Sequence, residues 1–506
     1  MNKLIQKECE SSVEYMLPDY MGDVKRILSA TATAIPSGKF INDTEAEFSG
    51  IVSYDILYAD SEGKLTKLTT TSDYDALIPI TDDYMDSISE PRIANLSIRL
   101  TGPRKLVAKS IVAANVRVSN NESISCAGTA FEDGRNPEVA RAVIKKEKMI
   151  FGLSGEREYA EEAEKVAASS REDIEILSTS GAVRISESTA QDGSVNVKGE
   201  LIITAIVRTD GNSVFAIKKN IPFDETISIE GAMPDMQTVS DGYLSSVSAD
   251  VVENGDSYSV TVSAIAEYYS ILAANEEIEL ISDAYLKEQD SETLYQDYSY
   301  SQLVCMDNAA ATFSAEFKRL DVGCENIKDL ISIACDIRSH DKKLLSDKVR
   351  ITGEAVFSGV ACEANENLEL FCYPLKMSSP FEINVNLGCQ VPENSILECN
   401  LCVPDVKYTV DAEKINLECE VKMSYRILSP NSIKRVVSCN AVGEKNYSMQ
   451  KSRIVVYTPD SDETLFEIAK KFHTSPTKIA KDNQLSELTS STSSAALKDV
   501  RKLIIR

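Results

Sequence analysis

The chain has no tryptophan, two histidines and a shortage of positive charge, and each shortage closes off a class of function. Without tryptophan, and with aromatic residues at 7%, the stacking platforms on which sugars usually rest are scarce. His340 and His473 lie far apart, and neither sits in a nucleophile motif, so a hydrolytic triad has no base to build on. No run approaches the roughly 18–20 apolar residues that a membrane-spanning helix needs. Phosphate-cradling glycine loops, HExxH motifs and EF-hand loops are absent. With 79 acidic residues, carboxylate pairs spaced for glycoside hydrolysis arise by chance and decide nothing. The expectation is a protein that is not an enzyme and holds no cofactor or metal. A formal charge of −26 repels nucleic acid and anionic membranes, so neither is an expected partner and no membrane insertion is expected.

Cysteine is rare in the first half and common later: only Cys9 and Cys126 precede residue 300, and ten lie between Cys305 and Cys439. Most sit in strand-like runs such as Ile333-Ala334-Cys335, where a thiol serves as a small hydrophobe. Cys399-Asn400-Leu401-Cys402 has no second pair at zinc-ribbon spacing. Nothing at the start of the sequence reads as a secretory signal. Together these predict reduced, disulfide-free cysteines and a cytoplasmic location. Residues 451–506 carry ten Lys/Arg and seven Asp/Glu, net +3, against −29 on the rest, a balance that suits an acidic protein partner or simply a solvated helix face.

What the sequence does contain is repetition. Phe48-Ser49-Gly50, Val197-Lys198-Gly199 and Ile351-Thr352-Gly353 each open an alternating run, and 23 residues before each glycine stands an aliphatic pair: Ile27-Leu28, Ile176-Leu177, Leu330-Ile331. The glycines are 149 and 154 residues apart, a period of whole duplicated domains. Strand-like runs every 8–12 residues or so predict a mainly β chain of three tandem sandwich- or barrel-like domains. Each glycine is read as a bulge or a close backbone approach. Ile221-Pro222-Phe223, Ser379-Pro380-Phe381 and, in the first copy, Tyr74-Asp75 are read as turns. The resulting division is an arm over 1–23, repeats over 24–133, 172–285 and 327–441, and connectors over 134–171 and 286–326. Glu156 to Ser170 and Ala309 to Leu320 are read as helical.

The last stretch, 453–506, reads as strand, helix, helix, strand. Ile454 to Tyr457 form a β-branched and aromatic run; Thr464 and Glu467 fit a capping box. Leu465, Ile468, Ala469 and Phe472 recur on one helical face. Ser475-Pro476 starts a second helix, Asn483 is its left-handed stop, and Leu503 to Ile505 return as a strand. Val442 to Ser452 reads as a linker, so this small domain is expected to unfold independently. On Tyr457, Asp462-Glu463-Thr464-Leu465, Ile468-Ala469, Asn483 and Leu503-Ile504-Ile505 the stretch resembles the LysM module. That resemblance implies a βααβ fold and a shallow groove for N-acetylglucosamine polymers between the loop entering the first helix and the loop leaving the second. The implied contact residues are Asp462, Glu463, Thr464, Leu465, Asn483, Gln484 and Leu485. Asp462 brings a carboxylate to the turn where the family usually has a glycine, Val500 stands where another glycine is usual, and Ser486 to Ala496 is a long insert.

The triplicated body, with its entry Leu17-Pro18-Asp19-Tyr20-Met21-Gly22-Asp23-Val24, resembles the SPOCS (DUF3794) domain of clostridial spore-coat proteins. Three such copies before a LysM domain are similar in order to SipL-like spore-coat morphogenetic proteins. The resemblance implies an adaptor or scaffold of the mother-cell cytoplasm at the forespore surface. Its implied partners are a SpoIVA-like ATPase of the coat's basement layer or other coat proteins. The alternative is a binder of peptidoglycan or chitin oligomers through the LysM groove.

Overall fold

The computed structural model describes residues 3–42, 45–79, 86–119, 130–131, 136–168, 170–209, 213–255, 257–323, 327, 329–364, 370–443, 454–460, 463–485, 497 and 501–506. The protein is mainly β, built three times on one six-strand plan, with the fifth strand of repeat 3 split into two that pair successive stretches of its last strand. Repeat 1 comprises β1 (Lys3–Met16), β2 (Val24–Ile41), β3 (Glu45–Asp60), β4 (Leu65–Pro79), β5 (Asp86–Gly102) and β6 (Lys105–Ser119). A short β7 (Ala130–Phe131) follows. Repeat 2 comprises β8 (Glu138–Val166), β9 (Glu175–Gln191), β10 (Ser194–Thr209), β11 (Ser213–Ser228), β12 (Gln237–Asn254) and β13 (Ser257–Tyr285). Repeat 3 comprises β14 (Ser291–Lys318), β15 (Asp329–Leu344), β16 (Lys348–Ala364), β17 (Leu370–Asn386), β18 (Ile396–Cys402), β19 (Val406–Val410) and β20 (Lys414–Ala441).

In each repeat the second, third and fourth strands form an antiparallel meander: β2-β3-β4, β9-β10-β11 and β15-β16-β17. The first strand pairs with the last to make a second sheet, in the orders β1-β6-β5, β8-β13-β12 and β14-β20-β18. The two sheets close face to face on alternating apolar residues, as in Val195, Val197, Leu201 and Ile203 of β10 against Val260, Val262, Ala264 and Ala266 of β13. The segments read as arm and connectors therefore hold β1, β8 and β14, the strands that complete each sandwich.

Both expected helices are strands. In β8, residues 157, 159, 161 and 163 turn inward while 158, 160, 162 and 164 are exposed. In β14, Ala309, Ala311, Phe313, Ala315 and Phe317 alternate in the same way. Tyr159 and Ala163 are four apart, a spacing that satisfies both a helix and a period of two, and pairing across the sheet decides between them. The expected turns are also strand: Pro222 lies in β11 opposite Glu200, and Pro380 in β17 opposite Glu354. Each occupies an outer strand of its meander, where the missing N–H breaks no ladder.

The repeat glycines do what bulge sites require. Gly50, Gly199 and Gly353 sit at the same register of the middle strand, opposite Tyr74, Phe223 and Phe381. Each adjoins a register shift with the preceding strand. A Cβ on Gly199 would lie 2.2 Å from the Arg184 carbonyl oxygen and 2.7 Å from the Phe223 ring; on Gly353 it would lie 2.2 Å from the Arg338 carbonyl oxygen.

Two compact units divide the chain. The first contains Met1–Asn121, Met149–Ala274 and Leu303–Leu428; the second contains Glu122–Lys148, Asn275–Gln302 and Ser429–Arg506. Within the first, the meanders pack head to tail in a closed cycle, β4 on β9, β11 on β15 and β17 on β2. The centre of the cycle is one apolar cluster. Leu28, Leu177 and Ile331 enter it from the first meander strand of each repeat, and Leu57, Ile206 and Val360 from the second, at matching offsets from the three glycines. The sequence repeat is thus a pseudo-threefold arrangement folded from one chain.

Opposite charges also join repeats within this unit. Arg117 of β6 binds Glu90 of β5 at 2.8 Å and reaches Glu398 of β18 at 2.9 Å; Glu398 also receives Arg426 of β20 at 2.8 Å. Asn400 donates to Glu90 at 2.5 Å, and Arg92 to the Leu401 carbonyl at 3.0 Å. Arg426 is 2% exposed, so this network is a buried joint between repeats 1 and 3.

The expectation of a wholly reduced chain is corrected here. Cys362 and Cys372 face each other across β16 and β17 and are disulfide-bonded, as are Cys305 and Cys389, with Cα separations of 4.3 and 6.5 Å. The second pair is 84 residues apart in sequence, and only the packing of β14 on the end of the meander brings it together.

Candidate functional site

The C-terminal domain follows its sequence signals closely. β21 (Val455–Tyr457) pairs antiparallel with β22 (Leu503–Ile505), and α1 (Leu465–Lys471) and α2 (Pro476–Asp482) lie between them in sequence. Thr464 caps α1: its hydroxyl accepts from the Glu467 N–H at 3.2 Å, and the Glu467 carboxylate accepts from the Thr464 N–H at 2.8 Å. Ser475 caps α2, with Pro476 at its first position. The left-handed residue is Gln484, φ 56°, one position later than expected. Asn483 does other work. Its amide donates to the Ile479 and Ile504 carbonyls at 2.8 and 2.7 Å, and its oxygen accepts from the Ile504 N–H at 2.6 Å. It clamps the end of α2 to β22. Asn483→Ala should lower the stability of this domain by about 2 kcal/mol, since three bonds are lost at a net value near 1 kcal/mol each with partial replacement by water. Amide exchange of α2 and β22 would show it as faster opening confined to those elements.

The seven residues of the expected groove divide by role. Leu465 is 6% exposed and belongs to the core with Ile468, Ala469, Ile479, Leu503 and Ile505. Thr464 and Asn483 are the cap and the clamp. Gln484 is exposed, Glu463, Thr464, Asn483 and Leu485 are each partly exposed beside the two loops, and Asp462 lies outside the described residues. Glu463 is held in place: its carboxylate accepts from the Tyr457 hydroxyl at 2.8 and 2.9 Å and from the Asp460 N–H at 3.1 Å. Lys471 donates to the same hydroxyl at 3.1 Å and lies 4.8 Å from the Tyr457 ring centre. Partial burial opposes ionisation of Glu463, but the Tyr457 and Asp460 donors and nearby Lys471 outweigh it and hold the carboxyl below its ordinary range. The site is therefore a fixed anion with a cation behind it, flanked by a polar amide and an aliphatic side chain.

A second face was not legible in the sequence. Phe466, which the apolar face read from the sequence did not include, is buried and meets the Tyr285 ring of β13 edge to face at 5.1 Å. The Tyr285 hydroxyl donates to the Thr474 carbonyl at 2.5 Å, and Lys470 pairs with Asp283 at 2.7 Å. His473, φ 49°, places Nε2 3.6 Å from Asp290. The expectation of an independent domain is thereby corrected: its core includes a tyrosine from repeat 2, and both lie in the same compact unit. This attachment uses Phe466 and Lys470 of α1 and the turn after it.

Among the described residues no cluster of three His, Cys, Asp or Glu side chains could hold a metal, and no helix is long and apolar enough to cross a membrane. The class defined so far is a repeat-built β body carrying a small βααβ domain. Comparison with family models agrees: residues 174–252 match the SipL, SPOCS domain, and residues 460–490 match the LysM domain. Neither matched domain is catalytic. The SPOCS match covers the meander of repeat 2 and most of β12. Neither the curated proteins nor the solved structures include a match to this chain.

Proposed function

We propose that this is a non-enzymatic sporulation protein that works as an adaptor in spore-coat or envelope assembly, with repeats 1 and 3 as further SPOCS copies and the LysM domain as its docking module. The observation that carries the reading is the match of one SPOCS domain inside a chain whose other two repeats share its strand order, glycine register and central cluster. The LysM loops favour a protein ligand. An ionised, fully hydrogen-bonded Glu463 offers a neutral acetylated sugar little, whereas a partner's Lys or Arg gains a charge-assisted contact and Leu485 an apolar one. The partner implied by the resemblance is a SpoIVA-like coat ATPase at the forespore surface, with other coat proteins as further candidates. Peptidoglycan or chitin-oligomer binding is the second reading, supported by the LysM match itself.

The two readings separate in one experiment. Gln484→Ala combined with Leu485→Asp changes the accessible side chains while sparing the core residue Leu465. With folding verified by circular dichroism, the variant should recover the ATPase from sporulating cells about tenfold less well than wild type, as expected for loss of an interface anchor. Undiminished recovery, together with calorimetric binding of chitin oligomers that the variant loses, would favour the glycan reading instead.

A further inference from the structure

Repeat 1 differs from its two relatives on the outer face of its meander, the face turned away from the sandwich core. One residue past each repeat glycine, repeat 2 sets Glu200 beside Arg184 in an ion pair, and repeat 3 sets Glu354 beside Arg338. Repeat 1 sets Ile51 beside Ile35. Three residues before the glycine the contrast recurs. Asn196 lies between Thr189 and Thr226, and Arg350 between Lys343 and Asn384, whereas Glu47 lies between Phe40 and Leu77. Phe40 is 63% exposed, and Leu77 and Ile51 are exposed beside it. Four carboxylates share this stretch of the face, Glu45 and Glu47 on β3 and Asp73 and Asp75 on β4, and no Lys or Arg lies on it. Repeats 2 and 3 keep the same positions polar, so the repeat fold does not require apolar side chains there. An exposed apolar patch rimmed by charge is instead the usual form of an interaction surface.

A matching surface lies on the outer side of the β21-β22 sheet. Leu503 and Ile505 point into the domain core, so Ile504 between them points away from the helices, and it pairs with Val456 across the two strands. Val456 is 62% exposed, and Ile504 and Ile454 are exposed on the same side. Lys502 and Arg506, two residues either side of Ile504, are exposed with them. The basic balance of residues 451–506 thus has a place: two cations flanking three aliphatic side chains.

We propose that these two surfaces bind each other between copies of this chain, the β21-β22 face of one copy seated on the repeat 1 face of the next. Each has apolar side chains at its centre, and the charges around them are opposite in sign. Apolar burial supplies the attraction, while Lys502 and Arg506 facing the carboxylates select partner and orientation. The acidic face would repel a second acidic face, which disfavours a contact of repeat 1 with repeat 1. Because two different surfaces meet, the association is head to tail, and every copy added leaves one surface of each kind open until a ring closes. Sheets this small make an interface at the low end of the specific range, so assembly depends on a high local concentration.

Sedimentation velocity of the full-length protein tests this. Wild type should pass from monomer to oligomers between about 1 and 100 μM, the range of a small, weak interface. Phe40→Thr with Leu77→Thr gives repeat 1 the outer residues of repeat 2, and Val456→Thr with Ile504→Thr keeps β-branched side chains in the short sheet. Each double variant, with its circular dichroism melt unchanged, should associate at least about tenfold more weakly. Asp73→Lys with Asp75→Lys, at exposed positions outside the core, should weaken association in the same way. An equal mixture of the two threonine variants should form dimers and nothing longer, because each supplies the surface that the other lacks. A wild type that stays monomeric across the series would overturn the proposal. So would undiminished association in any of the three variants, or a mixture that stays monomeric while wild type assembles.

Discussion

Gly199→Val should cost repeat 2 about 4 kcal/mol or more, the range reserved for substitutions with a specific steric cause. The new Cβ would fall 2.2 Å from the Arg184 carbonyl oxygen and 2.7 Å from the Phe223 ring, with the neighbouring backbone already displaced by the bulge at Lys198/Gly199. Neither neighbour can retreat: the carbonyl belongs to the adjoining strand and the ring is packed against Tyr268 at 4.5 Å. The β-branched side chain adds an overpacking term to the clash. Gly388 supplies the control, because a Cβ there meets nothing within 4 Å, and Gly388→Ala should change stability by less than about 0.5 kcal/mol. Urea unfolding followed by circular dichroism compares the two. Equal midpoints for the valine variant and wild type would show that the glycine register is not the constraint that the three repeats share.

The second large effect concerns the buried joint between repeats 1 and 3. Glu398→Ala removes the carboxylate that receives both Arg117 and Arg426, beside a guanidinium that is 2% exposed. Breaking a buried ion pair from one side typically costs about 3–5 kcal/mol. Removing the pair together is a different operation. Glu398→Leu with Arg426→Met deletes both charges while Arg117 keeps Glu90 at 2.8 Å, so the double variant should recover most of the loss. The exposed pair Lys109–Glu10 gives the scale for an unburied contact, and Glu10→Ala should cost less than about 0.5 kcal/mol. A double-mutant cycle on unfolding free energies reads all three. A single Glu398→Ala variant as stable as Glu10→Ala would mean that the joint is open to water in solution.

Local signals carried the C-terminal domain almost completely. The capping box, the proline at the start of α2 and the period of apolar residues act within a few positions of one another, so a single strand of sequence contains them. What they leave out depends on packing: Asn483 was read as a stop and is a clamp, and Phe466, outside the apolar face read from the sequence, meets Tyr285. Of the seven residues of the expected groove, Leu465 is buried, Glu463, Thr464, Asn483, Gln484 and Leu485 are at least partly exposed, and Asp462 lies outside the described residues.

By itself the sequence determined that this chain is β-rich, that it repeats three times with a glycine at one fixed register, and that a small helical domain ends it. These follow from periodicity and from spacing along the chain, which need no partner to be read. Tertiary structure decided the rest. It made strands of the stretches around Tyr159 and Phe313, because an alternating face facing a sheet gains cross-strand pairs that a lone helix lacks. It brought Cys305 to Cys389 and Arg117 to Glu398 across separations that no local rule spans. It also gathered Leu28, Leu177 and Ile331 into one cluster: burying an aliphatic side chain is favourable wherever it happens, and only the closed packing of three meanders specifies where.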